Sequence, residues 1–245
     1  MSLQFIFGNS GSGKSHYLYQ QIVEESIRHP EKNYLVLVPE QFTMQTQKDL
    51  CLIHPRGGIM NIDVLSFARL AHRIFEETGA GRQKILDDEG KNLILRKIAG
   101  NYEQELKVLR GNLKKQGYIS EVKSVISEFT QYGIGVEALD SLLETLDMHS
   151  YLYYKLQDIR QVYEGFESYL ADKYITKEEL LDVLSGVARK SKILKDSVIA
   201  LDGFTGFTPV QDRLLGELLG VCRKLLITVD MDQRENPFIY RHPYQ

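Results

Sequence analysis

The sequence has few of the residues that build disulfide or metal frameworks. Its two cysteines, Cys51 and Cys222, lie far apart and form no C-x-x-C pair. Neither a disulfide framework nor a zinc knuckle is expected, and both residues are interpreted as buried thiols. The six histidines show no H-E-x-x-H or other ligand spacing, so no metal site is assigned to them.

Long hydrophobic runs are also missing. No apolar run approaches the roughly 18 residues that span a bilayer, and no basic segment with an apolar core precedes Gly8. We therefore expect a cytoplasmic protein without membrane contact. The formal net charge of −3 neither favours nor excludes nucleic acid, because a basic groove can sit on an acidic protein.

The N-terminal sequence LQFIFGNSGSGKSHYLYQ contains a phosphate-binding pattern. It fits G-x-x-x-x-G-K-[ST], in which backbone N–H groups and a helix N-terminus bind phosphate. A chance match is expected on the order of one time in a hundred in a chain of this length. We predict that the loop binds ATP with Mg²⁺, with Lys14 acting on the β- and γ-phosphates and Ser15 ligating the metal. The predicted binding residues are Gly8, Asn9, Ser10, Gly11, Ser12, Gly13, Lys14 and Ser15.

Short apolar strands alternate with helical segments in the first third of the chain. Gln4–Phe7 and Tyr34–Val38 are continuous apolar runs, which suits parallel strands covered on both faces. The same pattern returns in Ser197–Leu201 and Leu225–Val229, with a helix between them. These elements predict an α/β fold with a parallel sheet of the P-loop NTPase, RecA-like type.

The middle of the chain has a different pattern. From Asp87 to Lys190 there is no proline, and apolar residues recur at helical spacing. This predicts a large all-helical insert over 86–190, with the nucleotide-binding domain formed by 1–85 and 191–245.

A carboxylate for Mg²⁺ is predicted at the end of the strand Val198–Leu201. Asp202 follows this strand directly and is the candidate metal ligand, although an acid capping a turn is the alternative. Helicase-type NTPases carry Glu at the next position, whereas this chain has Gly203. No acid follows before Asp212, so hydrolysis is in doubt.

The segment after the last predicted strand carries a second candidate. Gln233 could sense the γ-phosphate as a catalytic residue, or it could belong to a polar turn. The acids Asp230 and Asp232 could suggest a metal-dependent nuclease, but no third acid or E-x-K companion follows.

Aromatic and basic side chains suggest contacts with nucleic acid. Phe42 and Phe67 follow two predicted strands, where they could stack on bases of single-stranded DNA or pack in the core. A basic cluster in the predicted insert is either a solvated face or a DNA track. It consists of Lys107, Arg110, Lys114 and Lys115.

These pieces, in this order, resemble superfamily-one helicases of the RecB/UvrD type. FGNSGSGKS is similar to helicase motif I, YLVLVPEQFTMQTQKDL to motif Ia, VIALDGFTGFTPVQDRLL to motif II and LLITVDMDQRENPFIY to motif III. More narrowly, GNSGSGKS, LVPEQFT and LDGFTGFTPVQ resemble the N-terminus of the AddB (RexB) family of bacterial ATP-dependent helicase/deoxyribonucleases.

The resemblance implies more than the nucleotide site. It implies a hydrolase that processes DNA double-strand breaks for recombinational repair, acts on duplex ends and single-stranded DNA, and pairs with an AddA-like subunit. The family also has a second RecA-like half and a nuclease domain with an iron–sulfur cluster. We therefore expect this chain to be an N-terminal fragment that binds ATP but hardly hydrolyses it.

Two other functions stay open from the residues. A small-molecule or nucleotide kinase also opens on such a loop, but it usually carries an arginine-rich lid, and the late arginines here are scattered. A nucleotide-gated DNA-binding module without hydrolysis is the second alternative.

Overall fold

The computed structural model describes residues 2–80, 84–112, 115–171 and 173–231. Seven strands and nine α-helices lie in these ranges. The strands are β1 Ser2–Gly8, β2 Tyr34–Leu37, β3 Ile62–Leu65, β4 Lys84–Leu86, β5 Tyr174–Thr176, β6 Val198–Leu201 and β7 Lys224–Asp230. The helices are α1 Lys14–Arg28, α2 Thr43–Ile53, α3 Phe67–Thr78, α4 Asp88–Asn101, α5 Gln116–Tyr132, α6 Val136–Thr145, α7 Tyr151–Leu170, α8 Leu180–Val187 and α9 Pro209–Val221.

The chain divides into two compact units. The first consists of Met1–Gly81 and Leu181–Gln245, and the second of Arg82–Leu180. The predicted insert, 86–190, starts and ends later in the sequence than the second unit. No helix in the described ranges is long and apolar enough to cross a membrane.

A five-stranded parallel sheet forms the centre of the first unit. Its strand order is β1-β7-β6-β2-β3, and all four of its pairings are parallel. Every residue of β2 and β6 is buried, which explains why their sequences are continuously apolar rather than alternating. This confirms the predicted α/β class with a parallel sheet.

Parallel pairing brings the carboxyl ends of the strands to one edge of the sheet. The loops that enter α1, α2, α3 and α9 all start at this edge. Two of these helices begin with side-chain caps that the sequence encodes. Ser66 accepts a hydrogen bond from the Arg69 N–H at α3, and Thr208 forms a capping box with Gln211 around Pro209 at α9.

The second unit packs helices α4, α5, α6 and α7 around its own apolar core. The fully buried residues include Leu95 on α4, Ile119 on α5 and Val162 on α7. Apolar residues at these helical spacings are the pattern that the sequence shows. This part of the insert is helical, as expected.

The expectation of an all-helical insert is nevertheless wrong. The strand β5 lies within 86–190 and forms a two-stranded parallel sheet with β4, of which only Leu86 belongs to the predicted insert; Ile85 pairs with Ile175 in this sheet. Each strand has only three residues, which is too short to show the period of two that marks a strand in sequence. Burial stabilises them, since Leu86, Ile175 and Thr176 are all buried.

Candidate functional site

The segment between β1 and α1 has the backbone of an anion-binding loop. Gly11 and Gly13 have φ of 75° and 86°, a left-handed conformation that favours glycine. Gly13 precedes the first turn of α1, which has no acidic residue. The helix N-terminus is therefore open to a negative charge, as phosphate binding requires.

The loop borders a cavity of about 620 Å³. Its walls come from the end of β1, the loop itself and the start of α1. They are Ile6, Phe7, Gly8, Asn9, Ser12, Gly13, Lys14 and Tyr17. Five of the eight predicted binding residues thus border one space.

The Asp202 carboxylate lies beside the loop. Asp202 directly follows β6 and is 5% exposed. The Ser15 hydroxyl donates a hydrogen bond to its Oδ1 atom over 3.0 Å. The two predicted metal ligands, which are 187 positions apart in sequence, therefore lie in contact.

Two further hydroxyl groups hold this carboxylate, and sequence reasoning missed both. Thr228 of β7 donates to Asp202 Oδ1 over 2.6 Å, and Tyr19 of α1 donates to Oδ2 over 2.6 Å. The sequence indicates these two residues only weakly. Thr228 is a polar residue in an apolar strand, and Tyr19 lies one helical turn after Ser15. Burial and, next, the Asp202 charge raise the pKa of the Tyr19 phenol well above its ordinary value.

The Lys14 ammonium is held by two acceptors. Its Nζ atom lies 2.5 Å from Asp230 Oδ1 and donates to the backbone carbonyl of Asn9 over 2.8 Å. Asp230 reaches this position because β7 pairs with β1, which sets it opposite Gly8. Phosphate oxygens would compete with these acceptors for Lys14, since an ammonium donates only three hydrogen bonds.

The other predicted catalytic residue, Gln233, lies outside the described residues, as does Asp232. Its role as a γ-phosphate sensor stays a prediction.

Aromatic side chains gather near Asp202 at the carboxyl edge of the sheet. Phe67 is 8% exposed and packs on Phe204 with ring centroids 5.2 Å apart; Phe207 continues this cluster at 5.4 Å from Phe204. Phe42 is 47% exposed. Of the two predicted stacking residues, Phe67 therefore packs in the protein, whereas Phe42 offers its ring to solvent.

Gly203, which follows Asp202, has φ of 76°. A Cβ atom added there would lie 3.6 Å from Phe42 Cδ2 and 3.6 Å from Pro39 Cδ, which are ordinary contact distances. The left-handed backbone, rather than lack of space, therefore favours glycine at this position.

Comparison with known proteins identifies the family. The profile of the family described as "ADDB, N-terminal" matches residues 5–241. Relatives that are named as subunits of an ATP-dependent helicase/deoxyribonuclease include those of Lachnoclostridium phytofermentans, 48% identical over 96% of this chain, and Clostridium kluyveri, 37% identical over 95%. The corresponding protein of Clostridium tetani is 36% identical over 94%.

The matched region is a small part of each relative. The chain covers 20% of the length of all three, so it spans about a fifth of the relatives it matches. The family profile, in contrast, extends over nearly the whole chain. The resemblance predicted from the motifs is confirmed: this chain belongs to the AddB family and contains that family's N-terminal region.

Proposed function

We propose that the first unit is a RecA-like nucleotide-binding domain that binds ATP with Mg²⁺ at the loop Gly8–Ser15. The observation that carries this proposal is the Ser15–Asp202 hydrogen bond at 3.0 Å. It joins the last residue of the phosphate-binding pattern to a carboxylate from a distant strand.

The side chains around this bond fit a magnesium ion. Mg²⁺ prefers oxygen ligands and is usually held by one or two protein oxygens together with water and nucleotide phosphates. Ser15 donates its only hydroxyl proton to Asp202, so its oxygen lone pairs remain for a cation. When bound, Mg²⁺ would neutralise charge on the β- and γ-phosphates, and the Lys14 ammonium would be a further cation beside these phosphates.

Lys14 and Asp230 provide opposed variants for a test of this site. Lys14→Ala should weaken Mg-ATP binding at least tenfold, about 1.4 kcal/mol, because the cation facing the phosphates is lost. Asp230→Asn should strengthen binding by roughly two- to fivefold, because Lys14 loses the ion pair that competes with the phosphates. This change is the size expected for a partly exposed ion pair. Both affinities can be measured by isothermal titration calorimetry.

A charge-matched control separates local from general effects. Lys195→Ala removes an exposed lysine that precedes β6, at the amino edge of the sheet. It should leave the dissociation constant unchanged. Equal affinities of Lys14→Ala and the parent chain would refute the phosphate site.

We further propose that the carboxyl edge of the sheet binds single-stranded DNA. The half-exposed Phe42 ring lies in the 3₁₀ turn Glu40–Phe42, which leads into α2. Stacking on an exposed aromatic ring is tolerant of sequence and contributes about 1–3 kcal/mol per base. Phe67, which is buried, and Phe204, which is partly exposed, pack on each other, so we do not assign base stacking to them.

Phe42→Ala should reduce the affinity for oligodeoxythymidylate by about five- to a hundredfold, because one stacking surface is lost. Fluorescence anisotropy with a labelled oligonucleotide at fixed salt measures this change. Leu52→Ala removes a comparably apolar side chain that is 74% exposed on α2 and should have no effect. Equal losses in the two variants would argue against stacking on Phe42.

The names of the relatives suggest the role of the intact protein. We infer that this region belongs to an ATP-dependent helicase and exodeoxyribonuclease that processes double-strand breaks at duplex ends together with an AddA-like partner. The kinase alternative gains no support from the relatives named above. A nucleotide-gated DNA-binding module differs from this proposal only if the intact complex lacks hydrolysis.

A further inference from the structure

The Tyr19 hydroxyl is buried beside the predicted metal ligands. Tyr19 lies on α1, one turn after Ser15, and is 5% exposed. Its oxygen lies 2.6 Å from Asp202 Oδ2 and 3.2 Å from Thr46 Oγ1 on α2. Asp202 and Thr46 are themselves buried, so these bonds form away from solvent.

The direction of each hydrogen bond follows from counting protons. An ionised carboxylate only accepts hydrogen bonds, so the single phenolic proton of Tyr19 is donated to Asp202. Thr46 then donates its hydroxyl proton to the Tyr19 oxygen. The result is a directed chain from Thr46 through Tyr19 to Asp202.

The same count shows what remains on the carboxylate. Its two oxygens offer about four acceptor positions. Ser15 and Thr228 occupy two on Oδ1, and Tyr19 occupies one on Oδ2. Counting the residues that the structure describes, one acceptor position on Oδ2 is therefore left for a cation or for a water molecule bound to it.

We propose that Tyr19 is a positioning residue for magnesium binding by Asp202: its hydroxyl fixes the rotation of the carboxylate, and Thr46 ties that orientation to α2. This inference rests on the proposed function of the loop. Groups that orient a metal ligand commonly change metal affinity by about 10- to 100-fold when they are removed.

A purely structural role would affect stability but not the dependence of ATP binding on magnesium. The informative quantity is therefore the ratio of ATP dissociation constants measured by calorimetry in EDTA and in excess Mg²⁺. Tyr19→Phe should weaken ATP binding about tenfold in Mg²⁺ and less than about twofold in EDTA, since the phosphate loop is untouched.

Tyr34→Phe is the matched control. Tyr34 is fully buried on β2, and its hydroxyl donates to the Glu25 backbone carbonyl over 2.8 Å. The substitution removes one partly buried phenolic hydrogen bond from the same unit without changing a contact of Asp202. It should keep the parental ratio.

Two results would overturn the inference. If the parent chain binds ATP with a magnesium dependence that Tyr19→Phe retains, the inference fails while the nucleotide site stands. If the parent chain binds no ATP, the proposed function fails and the inference with it. If Tyr19→Phe does not fold, Thr46→Val provides the test, because it removes the hydrogen bond between Tyr19 and α2. This variant should reduce the ratio of dissociation constants by about threefold, the effect of one ordinary hydrogen bond. An unchanged ratio would refute the proposal.

Discussion

ATP turnover by this 245-residue chain should be slower than that of ordinary NTPases by at least about a thousandfold, even with Mg-ATP bound. The first reason is the missing carboxylate after Asp202. An NTPase needs a group that orients the attacking water, and Gly203 supplies none. The next acid in the sequence, Asp212, lies on α9.

The second reason concerns charge on the transferring phosphate. An arginine supplied by another domain or protein stabilises this charge in many NTPases and accelerates hydrolysis by about 10³–10⁵. The chain covers only a fifth of the length of these relatives, and we propose that such an arginine comes from a second RecA-like half, which the resemblance to the AddB family implies.

Restoring the acid should not rescue the activity. Gly203 has φ of 76°, and a residue with a Cβ atom costs about 1–2 kcal/mol in that conformation. Gly203→Glu would therefore strain the turn that carries Asp202 while the arginine is still absent. Gly203→Ala is the matched control, because it introduces the same backbone strain without a carboxylate.

Phosphate release from the parent chain and both variants measures the effect. All three should stay near the rate of a blank reaction. Turnover of about 1–10 s⁻¹, an ordinary enzyme rate, would show that the catalytic group is misplaced, and a stand-alone NTPase or kinase would then be favoured.

The parts of the site that could be predicted from sequence are those encoded locally. The phosphate loop is a contiguous pattern between a strand and a helix, and Asp202 directly follows a continuous apolar run. Both depend on short-range signals with a known structural consequence. The parallel sheet could be predicted for the same reason, since buried strands such as β2 and β6 are apolar throughout.

The contacts between these parts could not be predicted, because they depend on strand order. Asp230 meets Lys14 only because β7 pairs with β1, and Thr228 reaches Asp202 from the same strand. The strands β4 and β5 could not be predicted, because three residues are too few to show the alternation that marks a strand in sequence. Phe42 and Phe67 look alike in sequence, and only burial in the fold distinguishes them.

The Asp158 carboxylate has a similar dependence on tertiary structure. It lies on α7 and is 2% exposed. It accepts hydrogen bonds from the backbone N–H groups of Lys107, Val108 and Leu109, at 2.7 Å and 2.8 Å for the last two and at 3.0 Å from Lys107 to each carboxylate oxygen. A single side chain thus satisfies three donors of the connection between α4 and α5, which also carries the basic residue Arg110.

Asp158→Ala should lower the free energy of unfolding of the second unit by about 3–5 kcal/mol, because these N–H groups lose a charged acceptor inside the protein. Asp158→Asn keeps one acceptor oxygen and should cost roughly half as much. Amide hydrogen exchange resolves the effect on each unit, so no two-state assumption is needed for the whole chain. The amides of residues 107–109 should lose their protection first.

Asp147→Ala provides the control, because Asp147 accepts one exposed backbone hydrogen bond, from His149 over 2.9 Å. It should change stability by no more than about 0.5 kcal/mol, as expected for a surface site. If Asp158→Ala destabilised the second unit no more than Asp147→Ala does, water must replace the carboxylate without cost. The connection between α4 and α5 would then be held by the buried side chains of Leu106 and Leu109 rather than by the charge on α7.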